Sequence, residues 1–169
     1  MKPAPGRRVP PPQIDIHMQS PLWQAQPLAE KTVRDAIRET ASTLSAAEGE
    51  VSILLTDDSA ISKLNRDWRG IDKPTNVLSF PASGNKAGGS GRLLGDIVIA
   101  YETLERECDD ENRIFLHHLA HLAVHGFLHL VGYDHQTDTQ AEEMERLESK
   151  IMNRLNVPDP YLARDFGDA

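Results

Sequence analysis

The sequence has few of the features on which several classes of protein depend. Cys108 is its one cysteine, so an internal disulfide is excluded and any metal must bind histidine or carboxylate ligands. No apolar run approaches the ~20 residues that cross a bilayer, and prolines rather than an apolar core follow Arg7 and Arg8. These absences predict a protein of the reducing cytoplasm, with neither a membrane segment nor an export signal.

Positive charge is also scarce, and it is unevenly distributed. The 169 residues carry a formal net charge of −8, with +1 over residues 1–100 and −9 over residues 101–169. Such an acidic chain does not have the composition of a general nucleic-acid-binding protein. If the substrate is a phosphodiester, binding should depend on a local cluster of cations in the first half. The candidates are Arg66, Arg69, Lys73, Lys86 and Arg92.

Hydrophobic periodicity predicts one α+β domain over residues 13–157, between a disordered leader (1–12) and a C-terminal tail (158–169). The predicted strands are 13–19, 50–56, 77–80 and 93–100, and the predicted helices are 28–45, 57–68, 112–130 and 138–156, with another from Tyr101. The Gly- and Ser-rich segment 82–92 is predicted to be a flexible loop. Apolar residues cover most of the fourth helix, 112–130, so we expect it to be central and buried against a small mixed sheet.

Three histidines near the end of that central helix have the spacing of a metal site. His125 and His129 are four residues apart, so both imidazoles project from one helix face. Gly132 can adopt the left-handed conformation that ends a helix, and His135 can then fold back toward the first two rings. Three imidazoles around one point leave a fourth position open, as in catalytic zinc sites. We therefore predict a metal-dependent hydrolase with one zinc ion per chain.

The same helix carries further histidines one and two turns earlier, so the four-residue spacing alone does not select the ligands. A third ligand that follows Gly132 reaches only the C-terminal end of the helix, which selects His125 and His129. His121 is then expected to support a ligand or to pack behind the metal. Asp134 is expected either to orient an imidazole or the attacking water, or only to form the turn.

Four segments together resemble the YbeY family, the bacterial rRNA maturation factors. They are VHGFLHLVGYDH, NRDWRGIDKPTNVLSFP, LLGDIVIA and AEEMERLESKIM, in the family's order and spacing from about residue 50 to 155. The resemblance implies a zinc-dependent endoribonuclease specific for single-stranded RNA, acting in 16S rRNA 3′-end maturation and ribosome quality control. The implied partners are the 16S rRNA precursor and the small ribosomal subunit with its proteins.

The resemblance also assigns residues by position. It implies His125, His129 and His135 as the zinc ligands, and Arg69 as the arginine that the family places near the metal cleft. An arginine suits cleavage of a phosphodiester, because its planar and permanently charged guanidinium can bind two phosphoryl oxygens at once.

Two alternatives remain open. The spacing His-x3-His-x2-Gly-x2-His is also that of metzincin proteases, but those enzymes carry a catalytic Glu where this chain has Gly126. A metallopeptidase would need its base from elsewhere, for example from Asp134 or Asp96. The second alternative is a non-catalytic ribosome-assembly factor with structural zinc. Against it, three ligands leave a position open that Cys108 is poorly placed to fill.

Overall fold

The computed structural model describes residues 10–45, 48–82 and 93–161. Three predicted segments lie outside the described residues. They are the disordered leader before residue 10, the flexible loop from residue 83 and the tail after residue 161. Where the flanking segments begin and end stays a prediction.

One mixed sheet of four strands organises the described residues. The strands are β1 (Gln13–Met18), β2 (Glu50–Thr56), β3 (Val77–Pro81) and β4 (Leu93–Ala100). Their order in the sheet is β1-β2-β4-β3, with β1, β2 and β4 parallel and β3 antiparallel to β4 at one edge. β4 lies between two neighbours, and its Ile97, Val98 and Ile99 are all buried. The predicted small mixed sheet is confirmed.

Five α-helices complete an α+β fold, as predicted. They are α1 (Ala29–Leu44), α2 (Asp58–Arg69), α3 (Tyr101–Glu111), α4 (Phe115–Leu130) and α5 (Asp138–Arg154). α4 begins three residues later than predicted, because Asn112 adopts a left-handed φ of 53° and ends α3. Periodicity did not predict the 3₁₀ helix Pro21–Ala25, which is too short to display any. None of the described helices has the length and apolarity to cross a membrane.

The two faces of the sheet are covered to different extents. Ile97 points toward α4, where a Cβ added to Gly126 would lie 3.0 Å from the Ile97 Cγ2. Val98, the next residue, points to the opposite face and packs with Ile61 of α2. α1, α4 and α5 therefore lie on one face, which we call the α4 face, and α2 covers part of the other, the α2 face.

α4 runs through the centre of its layer, as predicted. Ten of its 16 residues are buried, so it has packing partners on most sides. Leu119, Ala123 and Phe127 have no exposed surface and pack with residues of α1, α5 and the sheet. A helix held on so many sides keeps its histidine side chains in fixed positions.

Candidate metal centre

Three imidazoles converge at the C-terminal end of α4. One nitrogen from each of His125, His129 and His135 lies within 4.8 Å of the other two. The ring centroids are 4.6 Å apart for His125 and His129, and 5.0 Å apart for His129 and His135. His135 is exposed whereas the other two rings are partly buried, so the cluster opens to solvent on the His135 side. In the described ranges, this is the one group of three or more histidine, cysteine or carboxylate side chains able to hold a metal.

The turn after α4 places the third histidine. Gly132 has a φ of 104°, a conformation that favours glycine and reverses the chain. The Oδ1 of Asp134 accepts a hydrogen bond of 2.8 Å from the backbone N–H of His135. Thr137 and Gln140 then form a capping box that starts α5. Asp134 thus fixes the main chain of His135, which is the turn-forming role considered for it.

A carboxylate that the sequence analysis missed lies behind the cluster. Glu148 of α5 is fully buried, with its Oε1 2.5 Å from His125 Nδ1 and its Oε2 3.1 Å from His121 Nε2. The hydroxyl of Tyr161 donates another hydrogen bond to Oε2. Burial raises the pKa of Glu148, but the hydrogen bonds with His121 and His125 outweigh burial and lower the pKa to about 2. Glu148 is therefore ionised, with both oxygens engaged.

The sequence did contain a signal for Glu148. In α5 it shares one buried helix face with Met144, Ile151 and Met152. A glutamate on an apolar stripe is buried on folding and needs a partner, because an isolated buried charge is very costly. The stripe therefore marks Glu148 as a residue with a specific partner, although it does not say which helix supplies that partner.

The hydrogen bonds and distances of the cluster fit a zinc ion. Because the ionised Glu148 accepts the proton on His125 Nδ1, the Nε2 of the same ring presents its lone pair to the cluster. His125 Nε2 lies 3.1 Å from His129 Nε2, and tetrahedral zinc with bonds of 2.0–2.1 Å separates two nitrogens by about 3.3 Å. The pKa of His129 is lowered by burial and by the nearby His125 and His135. Its neutral form, the one that binds metals, is therefore favoured.

The other histidines of α4 have different partners. His121 shares Glu148 with His125, and its role in supporting a metal ligand stays a prediction. His118 instead places its Nε2 2.9 Å from Glu107 Oε1, and Asn76 donates to the same carboxylate. Three histidines of this helix thus contact two different carboxylates, His121 and His125 that of Glu148 and His118 that of Glu107.

Gly126 occupies the place of the metzincin glutamate, and it faces the sheet at close range. A Cβ there would lie 3.0 Å from Ile97 Cγ2, 3.2 Å from Ser79 Oγ and 3.4 Å from Val77 Cγ2. The Ser79 hydroxyl also donates a hydrogen bond of 3.0 Å to the Gly126 carbonyl. Any side chain at this position would therefore crowd the sheet, and Ile97, Ser79 or α4 would have to shift to admit it.

Asp96, a possible substitute for that glutamate, lies on the other side of the sheet. It is exposed on β4 and is two residues before Val98, which packs with α2. Since side chains two apart share a face, Asp96 points to the α2 face while the histidines lie on the α4 face. The structure does not bring Asp96 to the cluster.

Arg69 is the last residue of α2, and it is exposed. Its Nη1 donates to Asn65 Oδ1 at 3.3 Å, and Asn65 Nδ2 donates to the Lys73 carbonyl at 2.9 Å. These bonds tie the end of α2 to the loop before β3. Trp68 lies against Phe80 of β3, with ring centroids 5.7 Å apart, so this end of α2 is held near the β3 edge of the sheet.

Comparisons with known proteins give one consistent result. The family model described as endoribonuclease YbeY matches residues 15–156. A curated endoribonuclease YbeY from Rhodopseudomonas palustris is 52% identical over 163 residues, which cover 94% of this chain and 95% of the relative. A second, from Bradyrhizobium diazoefficiens, is 52% identical over 159 residues, which cover 90% and 87%.

A solved structure has the same fold. The solution structure of a protein from Thermotoga maritima matches with a TM-score of 0.52 and 21% sequence identity, over 85% of this chain and 92% of that protein. At this identity the likeness concerns the fold alone, and it agrees with the α+β architecture described above.

Proposed function

Because the chain belongs to the endoribonuclease YbeY family, we propose that it is a zinc-dependent endoribonuclease specific for single-stranded RNA. Its proposed tasks are 16S rRNA 3′-end maturation and ribosome quality control in the cytoplasm. The observation that carries the proposal is the convergence of His125, His129 and His135, with the buried Glu148 behind them.

The protein side chains would prepare the site before substrate arrives. Bound zinc would supply hydroxide near neutral pH and a Lewis acid for the phosphoryl group. Glu148 orients the His125 ring and keeps its proton on Nδ1, and Asp134 fixes the backbone of His135. His135 is exposed, so a metal held by the three histidines would be open to solvent on that side.

Arg69 is proposed as the cation that meets the charge developing on the phosphoryl oxygens. The role rests on the family resemblance, and in this chain the guanidinium is exposed and is held by Asn65 at the end of α2, near the edge strand β3. A preorganised donor of this kind is typically worth about 3–4 kcal/mol in the transition state.

Two features weigh against a metallopeptidase. The position of the metzincin glutamate is Gly126, where even a Cβ would crowd Ile97 and Ser79 of the sheet. Of the two substitutes considered, Asp96 is on the opposite sheet face, and Asp134 accepts the backbone N–H of His135.

Structural zinc is also disfavoured, because such sites have four protein ligands. Cys108, the one thiol, is buried in the core on α3. Burial, followed by the nearby charges of Glu107 and Asp109, raises the pKa of Cys108 to about 11, so this thiol is protonated and is a poor ligand.

The net negative charge of the chain is compatible with an enzyme that binds its RNA on the ribosome. Much of the affinity would come from the small subunit and its proteins, so tight binding of free RNA is not required. The −9 charge over residues 101–169 would repel stray RNA and leave the Arg69 side as the approach.

The test is metal analysis together with RNA cleavage. We expect about one zinc per purified chain, cleavage of a single-stranded RNA, no cleavage of the matching duplex, and loss of activity with a chelator. Zinc-dependent cleavage of unfolded protein, without cleavage of RNA, would replace this proposal by the peptidase alternative. Stoichiometric zinc with neither activity would favour the assembly factor.

A further inference from the structure

A large groove lies away from the metal cluster, on the α2 face. It has a volume of about 840 Å³, and residues of the sheet form its floor while α2 and β3 contribute aromatic walls. Ser52, Leu54, Asp96 and Val98 are on the floor, and α2 reaches it through Leu64 and Trp68. Neither the cluster nor the proposed function accounts for this groove.

One wall of the groove is an exposed aromatic surface. Trp68 is 72% exposed, more than any other large apolar side chain among the described residues. Its ring lies 5.7 Å from that of Phe80, and the two planes are 57° apart. Single-stranded RNA binds proteins mainly by stacking its unpaired bases on such aromatic side chains.

The floor of the groove accepts hydrogen bonds. Asp15, Ser52 and Asp96 are register partners across β1, β2 and β4, and Asp96 is also the partner of Phe80. Within the described ranges, neither carboxylate has a hydrogen-bond or ion-pair partner, and no Lys or Arg lines the groove. A ligand that reaches Asp96 beside Phe80 must therefore donate hydrogen bonds.

Guanine is the nucleobase that can both stack on the aromatic wall and donate two hydrogen bonds to the carboxylate on the floor. Its Watson–Crick edge presents two adjacent donors, N1–H and N2–H, which match the two oxygens of a carboxylate. Adenine and cytosine present one amino group beside an acceptor, and uracil presents one N–H between two acceptors. We propose that this groove is a guanine subsite, in which Trp68 stacks on the base and Asp96 accepts its N1–H and N2–H.

The surroundings favour RNA over a basic peptide as the occupant. Arg66 and Arg69 flank Trp68 at the end of α2, and both are exposed. They attract the phosphates on either side of a stacked base and repel a cationic chain. β3 is an edge strand of the sheet, so an RNA single strand could pass around it from the groove on the α2 face to the cluster on the α4 face.

The subsite rests on the proposed function, but binding can be tested without cleavage. The probes are hexauridylate and three variants that carry one guanosine, inosine or adenosine. They are titrated into the full chain with a chelator, and Trp68 fluorescence is followed. Trp23 is 1% exposed and cannot stack on a base. We expect the guanosine probe to bind about tenfold tighter than hexauridylate, with inosine between them because it lacks the N2 amino group.

Matched variants separate the subsite from general RNA binding. Asp96→Asn should remove most of the guanosine preference and leave binding of hexauridylate unchanged. Asp15→Asn, about 10 Å away across two strand spacings, should keep the preference. Trp68→Leu removes the reporter together with the stacking surface, so its binding is followed by the anisotropy of fluorescein-labelled probes, and every probe should bind more weakly than to the wild type.

Equal affinity for all four probes, or a preference that survives in Asp96→Asn, would overturn the subsite. Quenching of Trp68 by hexa-arginine, with none by RNA, would instead make the groove a docking site for a basic protein segment. The proposed function fails on a different result, namely no zinc-dependent cleavage of any RNA.

Discussion

The two faces of the sheet hold their polar residues in different ways. On the α4 face, His121, His125 and Glu148 are partly or fully buried, and each is fixed by a hydrogen bond to another. On the α2 face, Arg69 and Asp96 are exposed, and the bond from Arg69 to Asn65 is within its own helix. A metal needs ligands placed before it arrives, whereas a substrate surface can stay hydrated until substrate replaces the water.

The largest effect is expected on the α4 face, from His135→Ala. Loss of one of three ligands should remove stoichiometric zinc and reduce RNA cleavage to the level seen with a chelator. Zinc content is measured by elemental analysis of the purified variant and activity by cleavage of a labelled single strand. His117→Ala is the control, because it changes an α4 histidine two turns before His125 and should keep the metal.

His121→Ala tests which histidines of α4 bind the metal. His121 contacts Glu148 rather than the cluster, so the variant should bind zinc at one ion per chain with weaker affinity. Complete metal loss in His121→Ala, or full occupancy in His135→Ala, would show that the wrong set of histidines has been assigned.

On the α2 face, Arg69→Ala should separate activity from metal binding. We expect full zinc content, an unchanged melting temperature and RNA cleavage lower by about 10²–10³, because one preorganised donor is lost. Arg69→Lys should recover only part of the rate, since lysine keeps the charge without the bidentate geometry. Lys63→Ala, which changes an exposed cation earlier in α2, is the control. Cleavage by Arg69→Ala at the wild-type rate would exclude the proposed role.

Glu148→Gln should weaken zinc binding without abolishing it. The amide keeps the size of the side chain but loses the charge that fixes the His125 proton on Nδ1, and loss of such a partner typically costs about 10–100-fold in metal affinity. Competition with a chromophoric chelator measures the change. Glu145→Gln is the control on an exposed position of the same helix, and an equal effect there would contradict the orientation of His125 by Glu148.

Local patterns were enough to predict the elements and the histidine cluster. Most strands and α-helices are periodic or continuous apolar runs, and the three histidines lie within one helix end and one turn, where spacing determines direction. The 3₁₀ helix Pro21–Ala25 was missed because one turn has no period. α4 begins late because Asn112 ends α3 with a left-handed φ. Asparagine tolerates this conformation but does not require it, so the end of α3 could not be predicted from the residue type.

Contacts between distant segments could not be predicted in this way. The pairing of Glu148 with His125 spans 23 residues and depends on how α5 crosses α4. The row of Asp15, Ser52 and Asp96 depends on β4 inserting between β2 and β3, which no single segment determines. Arg69 was assigned from a resemblance, because the sequence offered several equivalent cations.

The smallest effect is expected where α4 meets the sheet, at Gly126. Alanine there would gain up to about 1 kcal/mol in helix propensity. Its Cβ would lie 3.0 Å from Ile97 Cγ2 and 3.2 Å from Ser79 Oγ, and such overpacking costs about 1–3 kcal/mol. Because the crowding outweighs the propensity, we expect Gly126→Ala to be less stable by up to about 2 kcal/mol in urea unfolding, with zinc retained.

Gly132→Ala is the matched control for this position. A Cβ at Gly132 would meet no atom within 4 Å. However, the φ of Gly132 is 104°, which is strained for any other residue, and this conformation forms the turn that leads to His135. That variant should therefore lose zinc affinity, which Gly126→Ala should not. If Gly126→Ala instead stabilised the protein, α4 would have room to move from the sheet. The crowding expected of any side chain at position 126 would then be absent, and with it the main structural objection to a peptidase.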